Sequence, residues 1–259
     1  MAVLALSRHG ATAVLALNRP AQRNALDDSL RDALANAIGE VRADAGVRSV
    51  VLTGTGGHFC AGGDIKAMQQ TAAGQGDLDF RTRERMQQLQ RWFDELVDLE
   101  KPVIAAVDGV AFGAGLSLAL AADFVLASPG ARFCAAFARI GLVPDAGAMY
   151  LLPRQVGLAR AKELVFSARE VNAAEAQRIG LVHHLVEGDL MAAALSFAGQ
   201  FNESATQAIG MAKAVMNRAF ESQRDGVYAQ EALAQAICRQ SRFHATALDA
   251  FAPPEKARS

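Results

Sequence analysis

Two segments of the chain share one order of residues, and that order limits the folds open to it. In VRSVVLTGTGGHFCAGGDIK (47–66) and KPVIAAVDGVAFGAGLSLALAADFVLAS (101–128), a short apolar run leads into small residues and then into a helical pattern. Apolar runs of this length without alternation read as strands covered on both faces, the signature of a parallel sheet flanked by helices. Strands alternating with helices along the first half predict α/β architecture.

The remaining elements follow from local signals. Residues 1–20 read as a hairpin, because Ser7, Arg8, His9 and Gly10 break the first apolar run and a strand resumes at 14–17. That break also argues against a signal sequence. Asp27 or Asp28 caps a helix with the stripe Leu30, Leu34, Ile38 and Val41, ending near Gly46. A polar, glycine-rich connection is expected at 71–79, a helix at 81–99 and a strand at 124–127. Asn172 and Glu175 form a capping box for a helix ending before Gly180, and LVHHLVE (181–187) reads as a strand. Everything from 188 to 251 reads as helix. Residues 1–187 form the expected core, and 188–259 an extension that packs on it or on another subunit.

Composition removes several classes of function. With 51% hydrophobic and 20% charged residues and a formal net charge of -1, the chain presents no field for nucleic acid or an anionic membrane. No run approaches the roughly 20 apolar residues of a membrane span. Cys60, Cys134 and Cys238 are scattered, which suits reduced thiols in the cytoplasm. His183 and His184, as strand neighbours, point to opposite faces and make no metal site.

Chemistry concentrates in the two small-residue loops. Each ends a buried strand and opens a helix, so its amides have no helical partner and carry the positive end of a dipole. Two such amides converging on one point hold a developing oxyanion, each worth about 2.7–4 kcal/mol in a transition state. Tight strand-to-helix packing explains the glycines equally well. Neither loop matches a P-loop or G-x-G-x-x-G.

Four phrases taken together resemble a known family: NRPAQRNAL (18–26), HFCAGGDIK (58–66), the 101–128 segment and IGLVPDAG (140–147), followed by a helical end containing Phe243, Phe251 and Lys256. In this order they are similar to the crotonase superfamily, the enoyl-CoA hydratase/isomerase family. The resemblance implies a spiral of ββα units with a C-terminal helical region that assembles homotrimers, or hexamers as dimers of trimers. It implies an acyl-CoA thioester substrate, no metal, and no cofactor beyond the coenzyme A of the substrate. The thioester oxygen would be held by the amides of Gly63 and Ala114. Arg23, Ala25, Ala61, Gly62, Asp64, Ile65 and Lys66 would lie along CoA, with Arg23 and Lys66 either on its phosphates or as surface charges. Phe137 and Leu142 would wall the acyl side.

Carboxylates separate the reactions of such a family. Its hydratases carry two glutamates, and the corresponding positions here are Ser117 and Phe137. Asp145 remains, in FARIGLVPDAGAMYLLPR (137–154), which resembles the epoxyphenylacetyl-CoA isomerase branch. Shifting a double bond needs one base that lifts a proton and returns it elsewhere, provided water is excluded. Asp145 is therefore either that base or an N-cap of the helix that follows it. Double-bond isomerisation is the expected reaction; hydration, a non-catalytic CoA-ester binder, and a dehalogenase or thioester hydrolase are the alternatives. Glu84 is a minor alternative acid, while Glu95, His58 and Ser117 read as solvated or structural.

Overall fold

A computed structural model of the chain describes residues 2–72 and 78–251. The connection expected at 71–79 lies largely outside those residues, as does Lys256. The chain opens with an antiparallel hairpin, β1 (Leu4–His9) and β2 (Thr12–Leu17). Helix α1 (Asp28–Ala43), strand β3 (Ser49–Gly54) and helices α2 (Ile65–Ala72) and α3 (Leu78–Val97) follow. Then come β4 (Val103–Val107), β5 (Val110–Phe112), α4 (Ala114–Leu120), β6 (Phe124–Ala127) and β7 (Arg132–Cys134). After a short 3-10 helix (Ala136–Ile140), α5 (Ala148–Val156) and α6 (Leu158–Ser167) lead to β8 (Glu170–Asn172), α7 (Ala173–Arg178) and β9 (His184–Leu185). Four helices close the described chain: α8 (Leu190–Asn202), α9 (Thr206–Asn217), α10 (Arg224–Arg239) and α11 (Arg242–Phe251).

Backbone pairing explains the order. The main sheet runs β1-β2-β3-β4-β6-β9, and every pair beyond the first hairpin is parallel. A smaller layer holds β5-β7-β8 and continues through the bridges Cys60↔Ala111 and Leu26↔Gly63. Each repeat therefore lays a strand in the main sheet, a strand or bridge in the small layer, and then a helix. This is the expected ββα spiral.

Over β2, β3, β4 and β6 both faces of the main sheet are covered, which is why these strands lack alternation. One face meets α1 through Leu30, Leu34 and Ile38, all fully buried. On the other, α8 sets Ala194 and Ala198 against Val14, Val51, Ile104 and Leu126. The first helix of the C-terminal segment thus closes the core.

Several local expectations are refined. Asp27, not Asp28, caps α1, its Oδ1 accepting from Leu30 N–H at 2.9 Å, and the helix stops at Ala43. Asn172 caps α7 by accepting from Glu175 N–H at 2.8 Å, but the Glu175 carboxylate turns to Arg169 at 2.7 Å, so only half the capping box forms. The pair His183 and His184 does not diverge. Only His184 belongs to β9, and the two rings meet edge to face with centroids 4.3 Å apart, both against Phe197. Among the described residues no cluster of three or more metal-ligating side chains occurs, and no helix is long and apolar enough to cross a membrane.

The loop NRPAQRNAL is organised by Asn24, which is fully buried with φ at 57°. Asparagine tolerates this left-handed conformation better than most residues. Its Nδ2 donates to the carbonyls of Thr55 (2.9 Å) and His58 (2.7 Å), and its Oδ1 accepts from Arg19 N–H (2.8 Å). One side chain thereby fastens the α1 approach to the loop that leads to Gly63. Asn24→Ala removes three hydrogen bonds and strands two carbonyls, so urea unfolding is expected to show about 3 kcal/mol lower stability.

Candidate active site

The small layer places the two amide loops side by side. Leu26 N–H donates to Gly62 O (2.7 Å) and Asp64 N–H donates to Leu26 O (3.2 Å). Successive groups in an extended segment face opposite ways, so the N–H of Gly63 points away from Leu26. On the same segment, Cys60 N–H donates to Val110 O and Phe112 N–H to Cys60 O, which locks it to β5. β5 turns through Gly113 into α4, and Ala114 is the first residue of that helix, where an N–H has no helical acceptor.

Glycine is required where these backbones touch. A Cβ on Gly62, whose φ is +101°, would lie 2.7 Å from Phe112 O and 3.5 Å from Ala114 N. A Cβ on Gly115 would lie 2.2 Å from Cys60 O. The loops approach this closely only without side chains.

A cavity of about 180 Å3 opens over this contact. It gathers Ala61, Gly62, Gly63, Ile65, Ala114, Phe137, Leu142 and Asp145 from the expected set. Arg23, Ala25, Asp64 and Lys66 stand outside its wall. Arg23 and Lys66 are exposed, and Ala25 is buried behind it. The Asp64 carboxylate is engaged elsewhere: Oδ1 accepts from the amides of Lys66 (3.0 Å) and Ala67 (3.3 Å) at the start of α2, and Oδ2 pairs with Arg19 at 3.1 Å. Desolvation pushes its pKa up, but the Ala67 amide and Arg19 outweigh that and hold it below the ordinary carboxylate value.

Arg31, Met68, Gly113, Arg139 and Ile140 complete much of the wall and were not expected there. Nothing in the sequence marks Arg31, a charge one residue past the apolar stripe of α1. Arg31 pairs with Asp28 at 3.3 Å and Arg139 with Glu170 at 3.9 Å, so both arginines reach the wall already matched by a carboxylate. Glu84, Glu95 and His58 do not line it.

Asp145 lines the same cavity as the two amides, half-buried, with Oδ1 shut off from solvent. It does not cap α5. That helix begins at Ala148 after Gly147, with no side-chain cap, and Asp145 offers only its main-chain carbonyl to Ala148 N–H at 3.0 Å. Among the described residues lining the cavity, Asp145 is the one carboxylate. Phe137, buried on the 3-10 helix, replaces a polar wall with an apolar one. Cys60 contributes no nucleophile, because burial raises its thiol to about 12 against the opposing pull of Gly62 N–H, Arg19 and Arg31. Two larger hollows, about 430 and 470 Å3, lie against the C-terminal helices, lined mainly by apolar side chains and away from both amide loops.

Gly62→Ala forces a side chain into the Phe112 carbonyl and misaligns both donors. Its kcat/KM on an enoyl-CoA thioester is expected to fall about 100-fold in a steady-state assay, the scale of losing one oxyanion donor.

The sequence pattern of the family described as enoyl-CoA hydratase/isomerase matches residues 7–257. The chain is 36% identical over 253 residues to a short-chain-enoyl-CoA hydratase of Clostridium acetobutylicum, covering 97% of this chain and 95% of the relative. It is 37% identical over 207 residues to a 1,2-epoxyphenylacetyl-CoA isomerase of Escherichia coli, covering 79% and 78%. The crystal structure of an enoyl-CoA hydratase/isomerase from Cupriavidus metallidurans superposes with a TM-score of 0.90 at 39% identity, covering 97% of this chain and 93% of that one. With fold, loop order and sequence in agreement along nearly its whole length, the chain belongs to the enoyl-CoA hydratase/isomerase family, the crotonase superfamily, and is an enzyme of acyl-CoA thioesters.

Proposed function

We propose that this enzyme moves a double bond along the acyl chain of an enoyl-CoA, with Asp145 as its one acid-base group. The observation that carries the reading is that Asp145 is the one carboxylate among the described residues lining the cavity it shares with Gly63 and Ala114, while Ser117 and Phe137 stand where the family resemblance puts a hydratase's glutamates. The thioester oxygen sits between the two amides. Withdrawing a proton from C2 of a 3-enoyl ester sends charge onto that oxygen, and the amides stabilise it there. Asp145, now protonated, returns the proton at C4, which leaves a 2-enoyl ester. Atoms and charge balance without water, metal or a further cofactor.

The wall suits that sequence of events. Buried Phe137, with Ile140 and Leu142 at the exposed rim, lines the cavity and offers apolar surface to an acyl chain. The name of the Escherichia coli relative supports an isomerase, although of an epoxide and not of a double bond. The name of the Clostridium relative supports hydration instead, which here requires a second group to activate water. The CoA end of the substrate runs from Gly63 past Ala61 and Ile65 toward the exposed Arg23 and Lys66, where its phosphates meet positive charge.

Exposed apolar side chains on and between the last helices, among them Met216, Phe220, Leu233 and Ile237, support assembly into trimers or hexamers. The absence of any disulfide among the three thiols suits a reducing compartment such as the cytoplasm.

Paired assays of a 3-enoyl-CoA and a 2-enoyl-CoA with mass detection test the reading. The native enzyme is expected to convert the 3-enoyl ester without change of mass, and Asp145→Asn to lose about 10^3-fold in kcat. Gain of one water on the 2-enoyl ester, at a rate unaltered by Asp145→Asn, overturns the reading in favour of a hydratase with a different base.

A further inference from the structure

Ser117 has no part in the proton transfer just described, yet it joins the two halves of the machinery. It lies on α4, one turn beyond Ala114, and is fully buried. Its Oγ lies 3.1 Å from the main-chain carbonyl of Asp145 and 3.4 Å from the carbonyl of Gly113 in its own helix. A hydroxyl has one proton to donate, and the shorter contact is the one that crosses to Asp145.

The backbone after Asp145 needs such a tie. Ala146 has φ at 49° and Gly147 at 74°, two successive left-handed residues, and the first carries a side chain that resists that conformation. The bond from Ala148 N–H to Asp145 O stays within the same turn, so it shapes the turn without fixing it to anything else. The Ser117 hydroxyl does fix it, and it does so from the helix whose first amide faces the thioester oxygen.

We propose that Ser117 is a positioning residue for the base. Its hydroxyl holds the Asp145 main chain at a set distance from the Ala114 amide, so that the carboxylate and the oxyanion donors keep one geometry as the proton leaves C2 and arrives at C4. The inference rests on the reading of Asp145 as the base. Misplacing a reacting group by about 1 Å costs on the order of 100-fold in rate. The smaller drift allowed by a lost tether therefore appears in kcat, while binding of the CoA ester, which depends on the amide loops and the cavity wall, stays intact.

The test compares Ser117→Ala and Ser117→Cys with the native enzyme on a 3-enoyl-CoA, with circular dichroism to verify folding. Alanine removes the donor, and cysteine keeps the shape with a weak donor, so it carries the test if alanine fails to fold. The expected result is a kcat about tenfold lower for alanine and intermediate for cysteine, with KM within twofold of native. A kcat within twofold of native in the folded variants, or a loss that falls as much on KM as on kcat, overturns the proposal and leaves Ser117 as packing. Asp145→Asn, assayed beside them, distinguishes the two claims. If that variant is inactive and Ser117→Ala is unimpaired, only the positioning role falls; if it turns over at the native rate, the base assignment falls and takes the positioning role with it.

Discussion

The site depends on a short stretch of backbone pairing in which residues 60–64 are held from both sides. On one flank Leu26 binds Gly62 and Asp64; on the other β5 binds Cys60. Fixing these groups leaves the Gly63 amide with a single direction to face. The same pairing brings Gly62 against Phe112 and the start of α4, where Ala114 has an amide with no helical acceptor. Two N–H groups, neither from a side chain, thus meet beside the cavity. The sheet layer and the helix fix their geometry in advance, which is what the proposed role in holding a developing oxyanion requires.

Beyond those amides, the described lining of the cavity carries three charged side chains, Arg31, Arg139 and Asp145. Among the described residues that line it, the cavity sets one carboxylate beside apolar side chains and two arginines, and its nearby thiol is held protonated by burial. The proposed transfer of a proton between two carbons of one substrate asks for one carboxylate, and Asp145 is the one among the described lining residues. Asp145 is spared from capping because Gly147 begins α5 in its place, so the carboxylate is left facing the cavity. Asp64, the residue just before α2, takes the opposite role and commits its oxygens to the first amides of α2 and to Arg19.

Much of this was legible in the sequence because burial on both faces leaves a plain mark. β3, β4 and β6 were visible as apolar runs, and α1 as a stripe behind an aspartate. The amide loops were visible because close backbone approach demands small residues. The strands of the small layer were not: β5 and β7 have three residues each, too few for periodicity, and β5 was read as loop. Arg31 enters the cavity from a helix whose pattern gives no sign of it. The Ser117 bond joins positions 28 residues apart, and a hydroxyl to main-chain contact leaves no trace in either local pattern. Side-chain choices are equally silent, as the His183 and His184 rings show by meeting where strand alternation sends them apart.

The central claim is that one shielded carboxylate carries one proton between two carbons. The most direct measurement uses a 3-enoyl-CoA with both C2 hydrogens replaced by deuterium, turned over in ordinary water and read by mass spectrometry of the 2-enoyl product. The account predicts that part of the product keeps both deuterons, one of them now at C4. Product that retains only a single deuteron from the first turnovers onward contradicts it, because the proton would then have passed through bulk water between the two carbons.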